Sequence, residues 1–337
     1  MFNNSIRTDA SPKTYSESLF AFLDRSGRPE YEKVRVLISD WIAHVPPTER
    51  DDFVRRITSG QDVVFHSAFL ELYVHELLTA TGQSVTFHPE LSGTKKRPDF
   101  RAVGSRAGKA IVECTVATED SDKDRAAQAR LNTLFDSINR VDCADVFLDL
   151  RVAGTPMTPV PGGRWRKKIQ KWVDALDYDS LLAMGPVPID ANLPCLDLVH
   201  DGLKVSIKPI PKKSSARGKG QRSIGVSSGE GCIVTSHNEI RETVRDKAGR
   251  YGRMSCPYVV AVNCLGELAD EEEIFAAMFG HSGLWKHSGN PAHTRVSAVL
   301  AIHHLQPSSV AVAPARLFQN PNAAVPYDGP LAALPRP

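Results

Sequence analysis

The chain has 337 residues, of which 42% are hydrophobic and 24% charged, enough apolar content for one extensive core or two smaller ones. Lys plus Arg number 41 against 39 Asp plus Glu, so overall charge does not announce a polyanion partner, and any such partner must be read from local clusters. No apolar run reaches the roughly eighteen residues of a membrane helix, and no basic stretch leads into an apolar signal region, so a cytoplasmic protein without membrane association is expected.

Residues 1 to 60 read as a helical N-terminal segment, with apolar positions at helical spacing in YEKVRVLISDWIAHV and a PPTER breaker before a second short helix. The rest, 61 to 337, is expected to form one domain. A strong helix is predicted over 62 to 81, with Leu70, Tyr73, Val74, Leu77 and Leu78 on its buried face, Asp62 capping its start and Gly82 closing its end. Strands follow at 84 to 88, 98 to 104 and 109 to 117. Ser121 with Asp124 resembles a capping box for a helix through Arg140, and the strand VFLDLRV (146 to 152) comes next, after a crossover long enough for parallel pairing.

Beyond Gly154 the pattern gives a helix near 164 to 176 and strands at CLDLVH and GLKVSIK. Residues 209 to 231 have the composition of a flexible basic insertion. A helix starting at Ser236 and Glu239, a buried strand over 257 to 264, a helix at EEEIFAAMF, and strands near RVSAVLAIHH and SSVAVAP complete the series. The six cysteines form no CxxC pair and read as buried reduced thiols. His281, His287 and His293 share no helical or strand face and read as loop residues, and His66 and His88 as polar neighbours. Walker, GxGxxG and HExxH motifs are absent, which leaves the nucleotide, dinucleotide and zinc-protease chemistries that they carry without a foothold.

Three carboxylates stand out. Glu71 lies in the predicted helix, Asp99 follows Pro98 at a strand start, and Glu113 interrupts the apolar strand IVECTV. A hairpin can bring Asp99 and Glu113 together, and two adjacent carboxylates favour a hard, oxygen-bound cation between them; magnesium or manganese fits. A charged residue inside a β-branched run also breaks local propensity, as functional residues do.

The series FLELYVHELL, RPDF and IVECT resembles the PD-(D/E)XK, restriction-endonuclease-like superfamily. Wider similarity to bacterial members of that superfamily runs over residues 60 to 326, through VTFHPE, KAGRYG before PYVVAVN, and NPNAAVP. The resemblance implies an α/β fold with a mixed central sheet flanked by helices, here with the helical N-terminal segment and C-terminal additions. It implies metal binding by Asp99, Glu113 and the backbone carbonyl of Cys114, with Glu71 as an auxiliary acid. The superfamily's usual lysine position is occupied by Thr115, so a migrated lysine is expected: Lys247 is preferred, and Lys123, Lys95 and Lys96 are the alternatives.

The expected activity is metal-dependent hydrolysis of DNA phosphodiesters in restriction, repair or phage defence, by a homodimer if both strands are cut and with partner proteins of such a system. The alternative is a catalytically inactive DNA-binding or assembly module of the same fold. Two basic stripes are candidates for holding DNA: Arg164, Arg166, Lys167, Lys168 and Lys171, and then Lys212, Lys213, Arg217, Lys219 and Arg222.

Overall fold

The computed structural model describes residues 1–3, 5–104, 108–118, 122–184, 193–218, 222–229, 236–266, 269–285 and 292–334. The chain starts with α1 (Leu19–Arg25), α2 (Pro29–His44), α3 (Pro47–Ile57) and α4 (Asp62–Ala80), then β1 (Ser84–Phe87), β2 (Phe100–Gly104) and β3 (Gly108–Ala117). There follow α5 (Asp122–Ile138), β4 (Val146–Ala153), α6 (Gly162–Asp174), α7 (Tyr178–Ala183), β5 (Leu196–His200), β6 (Leu203–Pro211) and β7 (Ile224–Gly229). The last elements are α8 (Ser236–Ala248), β8 (Tyr258–Cys264), α9 (Glu271–Phe279), β9 (Ala298–His303) and β10 (Ala315–Gln319). This is an α/β protein with two mixed sheets flanked by helices. No helix among the described residues is long and apolar enough to cross a membrane.

The chain divides into two compact units. The first, Met1–Pro12, Ser18–Glu119 and Val234–Pro337, holds a six-stranded sheet in the order β1-β2-β3-β8-β9-β10. β1, β2 and β3 form an antiparallel meander, β3, β8 and β9 run parallel, and β10 returns antiparallel to β9. Strand parity assigns the two faces. Ala110, Val112 and Cys114 of β3 join the core built with α4, whereas Ile111 and Ala117 join the core built with α8 and α9. Every residue of β8 is buried, as expected of a parallel strand covered on both faces.

α4 is buried over more than the one face predicted. Phe65, Phe69 and Leu72 are buried along with Leu70, Val74 and Leu78, because α1, α2 and α3 cover the helix on the side away from the sheet. Residues 1–12 and 18–60 are therefore part of this unit and not a separate segment. Asp62 is the first residue of α4, and its carboxylate accepts the Leu19 N–H at the start of α1 (2.7 Å). Gly82 closes the helix at φ +79°, a left-handed turn that a side chain resists, with Gln83 N–H reaching back to the Leu78 carbonyl (3.1 Å).

The second unit, Lys13–Glu17 and Asp120–Ile233, holds a four-stranded sheet in the order β5-β6-β4-β7. Leu134 and Ile138 of α5, Trp165 and Ile169 of α6, and Leu181 of α7 pack with Leu148, Leu150, Val205 and Ile207. Two expectations are corrected here. The crossover after β3 does not return to its own sheet, since β4 belongs to this second sheet and the parallel neighbour of β3 is β8. The basic stretch 209–231 is not one loop, since β6 runs to Pro211 and β7 pairs parallel with β4.

A third correction concerns SSVAVAP, which is a turn. The Ser309 hydroxyl donates to the His304 carbonyl and its backbone N–H to the Gln306 carbonyl (3.0 Å), and this local bonding competes with a strand ladder; the strand begins at Ala315, after Pro314. Cys114, Cys143 and Cys264 are buried and free, whereas Cys195 is exposed, contrary to expectation. Ser121, Lys219, Cys232, His287 and the Lys123 side chain lie outside the described residues.

Candidate active site

Asp99 immediately precedes β2, whose Phe100 pairs with Val112 of β3, so Glu113 stands one step along the partner strand. The meander thus places the two carboxylates on neighbouring strands, Asp99 just before β2 and Glu113 within β3. Glu113 is only 2% exposed and shares the parity of Ile111, on the α8 face. Glu71 approaches from α4, 5% exposed.

Each carboxylate is held differently. Glu113 Oε1 accepts from Lys247 Nζ (2.9 Å) and lies 3.4 Å from Arg250 Nε, while Oε2 accepts from the Tyr251 hydroxyl. The phenol has one proton, and the Arg97 carbonyl, 3.2 Å away, is its second acceptor within reach. Glu71 is gripped at both oxygens by the Arg56 guanidinium, with Ser67 Oγ also within bonding distance. Burial opposes the charge of Arg56, but the Glu71 carboxylate more than offsets it, and the guanidinium pKa is raised.

Asp99 is the exception. Its Oδ2 accepts the Cys114 backbone N–H (2.6 Å), and among the described residues it takes part in no ion pair and Oδ1 has no hydrogen bond. Burial, followed by the negative charges of Glu71 and Glu113, raises its carboxyl to about 8, against the lowering pull of the Cys114 amide and of Lys247. A carboxyl placed against two others is short of positive charge.

The α8 helix supplies that charge. Ile240, Val244 and Ala248 form its buried stripe, which carries Lys247 onto the sheet side in the last turn, where a cation also complements the helix dipole. The Tyr258 hydroxyl donates to the Lys247 carbonyl (3.0 Å) and fixes the end of the helix to β8. Thr115, on the same face as Glu113, is half-buried opposite Val262. Cys114 contributes its amide, and burial and then the Asp99 charge push its thiol well up. Lys95 and Lys96 are exposed.

The structure thus brings together Glu71, Asp99, Glu113, Cys114 and Lys247. Sequence reasoning missed Arg56, Arg250 and Tyr251. Arg56 gave no signal, while Arg250 and Tyr251 stand in the KAGRYG stretch directly after Lys247.

No group of three or more His, Cys, Asp or Glu among the described residues is arranged to hold a metal ion. The donors that do converge suit a hard cation nevertheless. Magnesium is commonly held by one or two carboxylates while keeping most of its water, and Asp99 offers an oxygen with no hydrogen-bond partner among the described residues, beside Glu71 and Glu113. Glu71, with both oxygens on Arg56, is engaged elsewhere.

The basic stripes divide. Arg164, Lys167, Lys168 and Lys171 are exposed on α6 and Arg166 is half-buried, while Trp165 and Ile169 face the core. Lys213 is exposed. Lys212 is corrected as a DNA contact, being 2% exposed with Nζ on the Cys143 carbonyl (2.5 Å) and over the Phe147 ring. Arg217 pairs with Asp145 (2.7 Å) and stacks on Tyr178, and Arg222 donates to the Lys13 carbonyl beside Tyr15, so both are tied into their own unit. No family model, curated protein or solved structure matches the chain.

Proposed function

We propose that this chain is a divalent-metal-dependent nuclease that hydrolyses DNA phosphodiester bonds, with Asp99 and Glu113 as the carboxylates of its metal centre. The observation that carries this reading is the half-buried Asp99 carboxyl, set beside Glu71 and Glu113 with one oxygen free of hydrogen bonds among the described residues and Lys247 close by. The mixed sheet flanked by helices agrees with the restriction-endonuclease-like fold that the motifs suggest, and the motif residues converge within it.

Asp99 and Glu113 would hold the ion, and the Cys114 amide and the Tyr251 hydroxyl would keep the two carboxylates oriented toward it. A bound magnesium or manganese ion supplies Lewis acidity and a water of lowered pKa. Lys247, which stands in for the lysine absent at Thr115, donates to the phosphate as negative charge builds on it. Glu71 acts through Asp99, since its charge strengthens the attraction of that carboxylate for a cation.

The test is calorimetric titration of manganese into wild type, Asp99→Asn and Glu113→Ala, each shown to be folded, together with plasmid cleavage. Binding and cleavage in wild type and neither in the variants are expected; metal-dependent cleavage retained by either variant overturns the assignment. A second reading, an inactive DNA-binding module of this fold, is favoured by the two side chains of the chain itself that occupy both Glu113 oxygens. It predicts salt-sensitive DNA binding with no metal-dependent cleavage.

A further inference from the structure

We propose that Lys95, Lys96 and Arg253 form a phosphate-gripping rim at the mouth of the carboxylate site, one that binds the backbone of the nucleic acid beside the bond to be cut. This rests on the nuclease reading and adds the surface through which the substrate is held. It differs from the stripes that the sequence alone picks out.

Three observations carry it. The rim is assembled from two chain segments, the loop before Pro98 and the stretch after α8, and Tyr251 joins them: its hydroxyl bonds Glu113 and lies 3.2 Å from the Arg97 carbonyl. Lys95 and Lys96 directly precede Arg97, and Arg253 is two residues beyond Tyr251, so these cations border the groups that hold Glu113. All belong to the same unit, so one fold fixes the spacing between rim and carboxylates.

The second observation is availability. Lys95, Lys96 and Arg253 are exposed, and among the described residues their side chains make no ion pair or hydrogen bond. The neighbouring cations are committed: Arg97 to Glu90 (2.5 Å), Arg101 to the Glu90 carbonyl (2.9 Å), and Lys247 and Arg250 to Glu113. The third is charge. Asp99 is the one acid in the stretches 91–101 and 247–256, and Glu90, the next acid before the lysine pair, is taken up by Arg97. Exposed cations on two segments joined at Tyr251 and Arg97 raise the local potential, which a polyphosphate backbone relieves with release of its counterions.

The experiment measures equilibrium binding of labelled duplex DNA, single-stranded DNA and RNA of one sequence over a salt series in chelator, with manganese titration and cleavage run in parallel. The proteins are wild type, the triple variant Lys95→Ala/Lys96→Ala/Arg253→Ala, and the charge-conserving Lys95→Arg/Lys96→Arg/Arg253→Lys. The alanine variant should bind nucleic acid at least about tenfold more weakly, with the slope of log affinity on log salt reduced by about one per lost contact. Its manganese binding should equal wild type, and the charge-conserving variant should retain both affinity and slope.

An alanine variant with wild-type affinity and slope overturns the rim and leaves the nuclease reading standing. Wild type that binds nucleic acid through the rim yet never cleaves overturns the nuclease reading and leaves the rim. Absence of nucleic-acid binding in wild type overturns both. The polymer whose affinity falls most in the alanine variant identifies the form of backbone that the rim holds.

Discussion

Lys247 Nζ lies 2.9 Å from Glu113 Oε1 although 134 positions separate the two residues along the chain. Strand β3 delivers the carboxylate and helix α8 the ammonium group, so the pair depends on two elements packing correctly. Removing the lysine should separate binding from chemistry. Lys247→Ala is expected to retain manganese binding, since it removes a cation from beside Asp99 and Glu113, and to lose cleavage by about 10²-fold or more, the usual cost of deleting a donor to developing negative charge. Single-turnover cleavage and calorimetry on the same preparation check both halves, and unchanged cleavage would remove Lys247 from the mechanism.

Tyr251→Phe keeps the ring packed against Tyr258 and deletes the hydroxyl on Glu113. The carboxylate is buried, so the loss leaves an acceptor short of a partner, at a cost of about 1.5–3 kcal/mol. Urea denaturation should show a lower midpoint with an unchanged slope. A midpoint equal to wild type would mean that Lys247 and Arg250 alone satisfy Glu113.

The Asp99 carboxyl gives a pH dependence. Its folded-state value of about 8 stands above the ordinary 3.8, so between these limits the native state holds a proton that the unfolded chain has released. The unfolded state then binds fewer protons, and the stability of the metal-free protein falls as pH rises from about 4 toward about 8. Cation binding has the opposite trend, since it displaces that proton: affinity should rise with pH and level off near 8. Asp99→Asn should flatten the Asp99 contribution to the stability curve, and a metal-free stability that climbs across this range would contradict the assignment.

A fourth prediction concerns the buried pair at Glu71. Arg56→Ala leaves that carboxylate uncompensated in the core and should destabilise the fold by about 3–5 kcal/mol, whereas the double change Arg56→Met/Glu71→Leu should recover much of the loss. Thermal melts of the single and double variants distinguish this from a simple loss of packing.

Much of the site was legible because its parts obey local rules. The strand pattern placed Glu113 on the face opposite Val112 and Cys114, and Pro98 marked the strand start that fixes Asp99. Lys247 could be singled out because its helix leads into the apolar strand now seen beside β3. Long-range pairing was not legible: nothing in α3 announces that Arg56 will meet Glu71, since a solvated and a buried arginine have the same local pattern. The fold showed the same limit. The periodicity of α5 and β4 indicated a crossover without revealing that the chain was leaving for a second sheet, and the strand at 224 to 229 was masked by the basic, serine-rich composition around it.

The interruption between β3 and α8 also orders events during synthesis. At about 5–20 residues per second, the 134 positions between Glu113 and Lys247 delay the lysine by roughly 7–27 s after the carboxylate has been polymerised. A nascent or truncated chain that ends within the second unit carries the acids of the proposed centre but not its cation. On this reading competence to cut is withheld until α8 has been made, a delay set by the order of the segments along the chain.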